Sequence, residues 1–157
     1  MTRTSIAAIL SLAMTGQAAA LSCVAPTVAS SFSAADAADS AYALAVGEVT
    51  LLDGEAIPEQ TGDPNDKQGY AVEAQFAGHM ASLEGFDQPA TFPVRVQVDC
   101  VSAWCGAPPE GEVLVFLERQ DDAIVLVEGA CPRFSFPATE EVKAAATACL
   151  NGDCPED

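Results

Sequence analysis

Six cysteines, one histidine, one tryptophan and 23 acidic side chains are the residues of this 157-residue chain able to do chemistry. The cysteines stand at Cys23, Cys100, Cys105, Cys131, Cys149 and Cys154, and no two are spaced C-x-x-C. Neither a thioredoxin-like redox pair nor a zinc ribbon is therefore indicated. His79 stands between Gly78 and Met80 with no motif around it. A Ser/His/Asp or Cys/His catalytic arrangement would have to use it, and a histidine-rich zinc site is excluded by count. Carboxylate pairs occur at Asp121-Asp122, Glu140-Glu141 and Asp63 with Asp66. Glycosidase-type acid–base work needs two carboxylates facing one cleft at a set separation, whereas these lie in turns and at a helix start, where adjacency follows from abundance. Asp63, Asn65 and Asp66 invite a calcium reading, but Gln68 and Ala74 stand where an EF-hand loop needs Gly and Glu. No phosphate-cradling glycine loop and no G-x-S-x-G elbow is found. The expectation is no catalytic site, no bound metal and no cofactor. Trp104, between Cys100 and Cys105, is the remaining candidate: exposed, it anchors a partner; covered, it packs on a neighbouring disulfide or closes a barrel end.

The elements that would position these residues are short. Val94, Val96 and Val98 alternate with Arg95, Gln97 and Asp99, the period of a half-buried strand. Val113 to Leu117 and Ile124 to Val127 are continuous apolar runs, expected of strands covered on both faces. Between them, ERQDDA is a polar hairpin connection. A first strand is expected over Tyr42 to Leu52; its apolar positions are even, then odd, and a β-bulge at Gly47-Glu48 accounts for the slip. Residues 53–69 read as a polar hairpin loop. Tyr70, Val72, Ala74 and Phe76 mark the second strand, running on towards Met80, and GFDQPATFP (85–93) reads as the turn before the third. Residues 101–111 are too short and too rich in Pro and Gly to house a substantial helix. Residues 21–30 read as extended, and Ser33-Ala34-Ala35-Asp36 as a capping box opening a short helical turn. Thr139 reads as the N-cap of a last helix, with Glu140 and Glu141 in its first turn, a stripe of Val142, Ala146, Cys149 and Leu150, and Asn151-Gly152 as its stop. Phe134 and Phe136 pack against the strands. Together these predict a mainly β fold: a closed five-stranded OB-type barrel with short N-terminal and C-terminal helices packed on it, stapled by disulfides.

Composition and address narrow the partners. Half of the residues are hydrophobic, which suffices for one domain's core. The net charge of −17 repels phosphate backbones and argues against nucleic acid. The acidity suits cations or a basic partner, or plain solubility in a salty exterior. MTRTSIAAILSLAMTGQAAA has a basic start at Arg3, an apolar segment from about Ile6 to Met14 and the small-residue motif Ala18-Ala19-Ala20. It reads as a signal peptide over 1–20, leaving a domain of 21–157 that begins at Leu21. A lipoprotein acylated on Cys23 is the alternative, although Leu21 falls one position later than a lipobox usually wants. No later run reaches the roughly 18 apolar residues of a membrane span. An exported, periplasmic or extracellular protein is expected, in which six cysteines serve as disulfides; fifteen pairings are open to them. Nothing in the pattern sets an oligomeric state.

Several local signals occur in the order found in the tissue-inhibitor-of-metalloproteinases and netrin-like family, which the chain resembles over most of residues 21–150. Cys23-Val24-Ala25-Pro26 looks like the family's opening Cys-Val-x-Pro, and Ala45-Val46-Gly47-Glu48-Val49 like its first-strand V-G-x-V. Cys105-Gly106, and Cys131 after the fifth strand, fall where the family places cysteines. The resemblance implies a Cys23–Cys131 bridge that pins the N-terminal segment across the barrel. The family's first cysteine falls on Leu21, so Cys105 loses its usual partner and is left to Cys100, with Cys149 and Cys154 as a C-terminal staple. In the family's inhibitors that first cysteine offers its amine and carbonyl to a protease zinc; Leu21 offers the same groups with no crosslink to hold them, and the family's second domain is missing. The expected function is accordingly an exported binding or protein-interaction module, facing an extracellular protease or an envelope protein, with Leu21, Ser22, Cys23 and Trp104 as candidate binding residues. A metalloprotease inhibitor with Leu21-Ser22-Cys23 as its wedge is the alternative, and a secreted enzyme the second.

Overall fold

Five consecutive buried residues, Val113 to Leu117, sit at the centre of the architecture. They belong to strand β6 (Val113–Gln120) of a computed structural model that describes residues 23–60 and 62–155. Val113, Val115 and Leu117 point into one apolar cluster, and Leu114 and Phe116 into a second on the other face. A strand with no polar face has to be covered twice. The first cluster is the barrel interior and the second is the seam beneath the helices.

The barrel closes through β1 (Ala41–Leu51), β2 (Tyr70–Ser82), β3 (Gly85–Val98), β7 (Ala123–Glu128) and β6, which returns to β1. Neighbours are antiparallel except β3 and β7, which pair in parallel from Arg95↔Val125 to Val98↔Glu128. This is the OB-type closed five-stranded barrel. Val72, Ala74 and Phe76 of β2, Val94, Val96 and Val98 of β3 and Leu126 of β7 fill it. β8 (Ser135–Pro137) extends the sheet beside β6, while β4 (Cys100–Val101) and β5 (Trp104–Cys105) form a separate two-stranded ladder. Helices α1 (Val28–Asp36) and α2 (Glu140–Leu150) close the outer seam over Leu44, Val46, Leu114, Phe116 and Phe136. Tyr42, Phe116 and Phe134 cluster there at 5.1–5.7 Å between ring centres.

Three expectations about local structure are corrected. β1 carries no bulge at Gly47-Glu48: its register with β2 runs unbroken from Ala45↔Met80 to Leu51↔Ala74. The slip in its apolar pattern is a change of cover. Tyr42, Leu44 and Val46 lie against the helix seam, whereas Ala45, Val49 and Leu51 face the barrel interior. Residues 85–93 are strand, and the turn is only Leu83-Glu84. Pro89 and Pro93 are tolerated because β7 joins β3 only from Arg95 onward, leaving their unpaired side at an edge. Finally, α1 starts at Val28, and Ser33–Asp36 is its last part. Thr27 is the N-cap: its Oγ1 accepts from Ser30 N at 3.0 Å, and Ser30 Oγ accepts from Thr27 N at 3.0 Å. A serine does the work usually given to Glu or Gln. α2 is as expected, capped by Thr139, whose side chain accepts from Val142 N.

Candidate binding edge at one end of the barrel

Three backbone segments meet where β2 begins and where β3 and β7 end. The first is the β4–β5 hairpin, in which Cys100 pairs with Cys105 in register and is bonded to it, with Cα atoms 4.0 Å apart. Ser102 turns it at φ 57°, in the left-handed region. The second is the loop before β2: Lys67 N donates to Ser102 O at 2.9 Å, and Ser102 Oγ donates to Asn65 O at 2.7 Å. The third follows β7. Gly106 N donates to Asp99 O (3.1 Å), Asp99 N donates to Glu128 O (2.9 Å), and a Cβ on Gly106 would lie 2.3 Å from Glu128 O and 2.7 Å from Gly129 O. Only glycine permits that approach. Two residues beyond Gly129, Cys131 is bonded to Cys23, which brings the N-terminal segment to this end.

The hairpin presents an apolar pair to solvent. Val101 and Trp104 stand directly opposite each other and are 57% and 52% exposed. Trp104 is therefore open to solvent over about half of its surface rather than fully covered. Val101 was not legible as its partner, because a two-residue ladder has no periodicity to detect. Val24, next to Cys23, is 90% exposed. Leu21 and Ser22, the other candidate binding residues, lie outside the described residues, as do the segment 1–20 and its signal-peptide reading.

The remaining candidates are scattered. His79 is exposed on β2, opposite Val46 and Pro89. Asp121-Asp122 is the β6–β7 turn, with Asp121 at φ 49°. Glu140 and Glu141 occupy the first turn of α2, and Asp63 Oδ1 accepts from Asn65 N at 2.8 Å within the loop. Among the described residues no three His, Cys, Asp or Glu side chains are placed to hold a metal ion. The third bridge joins Cys149 to Cys154 just past the end of α2, so the cysteines pair as the resemblance implies.

One buried group has no sequence signal. Glu128, the last residue of β7, is 2% exposed, and its Oε1 has no hydrogen-bond partner among the described residues. Burial pushes its carboxyl above the ordinary value of 4.5, and a hydrogen bond from Ser135 offsets part of the rise. It reads in the sequence as one more acid among 23.

Comparison with protein-family models, with curated proteins and with solved structures finds no match to this chain. Among the described residues no helix is long and apolar enough to cross a membrane.

Proposed function

We propose that this chain is an exported OB-type barrel that works by holding a protein partner rather than by catalysis, with the β4–β5 edge as its contact surface. One observation carries the reading: Val101 and Trp104 are an exposed apolar pair on a covalently closed, hydrogen-bonded hairpin. A preformed anchor spares the ordering entropy that a free loop loses on binding, and tryptophan is prominent among interface residues that dominate affinity. An extracellular protease or an envelope protein is the kind of partner such an edge suits. Metalloprotease inhibition is the second reading, favoured by the Cys23–Cys131 bridge, which sets the N-terminal segment beside the same end.

The test is affinity capture from the exported fraction of the producing cells, followed by titration of the captured partner. Trp104→Ala weakens binding by about 30-fold, the equivalent of roughly 2 kcal/mol, and leaves the thermal midpoint unchanged. If Trp104→Ala and Val101→Ala both bind like the parent, the edge is not the contact surface. For the second reading, zinc-protease assays compare the chain starting at Leu21 with one starting at Cys23. Inhibition by the former alone supports a wedge, and no inhibition by either removes it.

A further inference from the structure

A second concave surface lies at the opposite end of the strands, where β1 starts and β6 runs into its turn. Phe32 and Ala35 of α1, Tyr42 and Leu44 of β1, Phe116 of β6 and Leu150 of α2 line a groove of about 310 Å³. That is the lower end of the range for small-molecule sites, about 300–1,000 Å³. Its floor belongs to the helix seam: Leu44 is 7% and Phe116 1% exposed. A ligand's apolar tail laid on this floor between the half-buried Phe32 and Tyr42 leaves water, and that transfer is what drives such binding.

The rim carries one sign of charge. Asp36 is the one charged residue among the described residues lining the groove. It sits in the last turn of α1, where the helix carbonyls already concentrate partial negative charge and where no basic residue offsets it. Asp39 follows three residues later, and Glu118 stands directly opposite Tyr42 and accepts a hydrogen bond from its hydroxyl. Arg119 lies next along β6, but strand alternation directs it to the opposite face from Glu118. Among the described residues the groove's lining therefore offers an anionic head no cationic side chain, and a cationic head a carboxylate at a helix C-terminus.

We propose that this groove binds a small apolar molecule carrying an ammonium head, its tail between Phe32 and Tyr42 and its head at Asp36. The site is independent of the β4–β5 edge.

The test is calorimetric titration of the disulfide-bonded protein with decyltrimethylammonium and with decyl sulfate, both below their micelle concentrations and at physiological salt. The cation binds at one site, about tenfold or more tighter than the anion. Asp36→Asn removes most of that preference, whereas Glu55→Gln, on a distant loop of the same acidic surface, leaves it intact. Ala35→Phe fills the groove and abolishes binding, with circular dichroism as the check on folding. If Ala35→Phe does not fold, the head-group preference of Asp36→Asn decides alone. The proposal is overturned by equal binding of the two probes, by unsaturable uptake of the cation, or by an undiminished preference in Asp36→Asn.

Discussion

Glu128 is the residue at which the barrel departs from apolar economy. Its side chain is buried with Oε1 unpartnered among the described residues, and Ser135 donates to the carboxyl from β8. The neighbouring Asp99 is directed elsewhere, its Oδ1 accepting from Gln97 Nε2 at 3.2 Å. Burial raises the folded-state pKa above the ordinary 4.5, which fixes the sign of the pH dependence. Below the ordinary value both folded and unfolded chains hold the proton, and stability from this group is complete. As pH rises through the raised folded value, the unfolded chain has already released its proton, so the folded state loses stability. Glu128→Gln keeps the shape and an acceptor for Ser135 without the charge. At pH 8 the variant should exceed the parent by about 1–3 kcal/mol, the cost of an unsatisfied buried polar group, and at pH 4 the two should converge. Urea denaturation across that range reads the difference, which cancels the repulsion common to both acidic chains. A constant difference at all pH values would mean that the carboxyl does not titrate on unfolding. The contrast with Trp104 is instructive, since a lone tryptophan between two cysteines can be picked out by type and spacing, whereas Glu128 is marked only by an enclosure that the fold creates.

At the level of elements, the strands were legible where one rule governed them, and were misread where two acted together. Alternation at Val94, Val96 and Val98 and the unbroken run Val113–Leu117 each report a single environment, and both strands form as their patterns require. β1 instead passes from the helix seam to the bare barrel wall, so its pattern changes phase without any change in backbone register. A reader of the sequence sees the slip but not its cause, because the covering helices are distant in the chain. The β2–β3 hairpin shows the same limit: prolines signal a turn until the pairing shows a one-sided edge. Gly47, read as the site of a bulge, has a different task. It pairs with Gly78, and a Cβ on Gly47 would lie 2.4 Å from Ala77 O and 2.7 Å from Gly78 Cα, with the Phe76 ring at 2.9 Å. The two strands approach closely, and an aromatic ring covers the gap left by two missing side chains. Because backbone rather than a flexible side chain occupies the space, Gly47→Ala should cost about 1–3 kcal/mol or more. A thermal midpoint equal to the parent's would show that the strands can part without loss.

For the whole molecule, the decisive question is how a small barrel with one end left to loops holds together. Each of the two short bridges spans a sequence separation of 5, whereas Cys23–Cys131 spans 108. In the loop-closure account the short ones contribute about 2 kcal/mol each and the long one about 4 to 5 kcal/mol. The long bridge also fixes the approach to α1, which otherwise rests on the helix seam and on Ser31 Oγ donating to Arg133 O at 2.6 Å. Domains of this size are stable by only about 5–15 kcal/mol, so the long bridge accounts for a large share. Replacing both Cys23 and Cys131 by serine should therefore lower the unfolding free energy by roughly twice as much as replacing both Cys149 and Cys154. The Cys100/Cys105 double serine variant should resemble the latter in stability and lose the preformed Val101–Trp104 edge. Urea unfolding of the three double variants under non-oxidising handling separates these roles. Equal losses from the long and short bridges would mean that the unfolded chain already keeps its ends together, and that Cys23–Cys131 acts on the position of the N-terminal segment rather than on stability. Under the proposed function, holding the N-terminal segment at the β4–β5 edge would then be the principal reason for that bridge, and partner affinity the quantity its removal changes most.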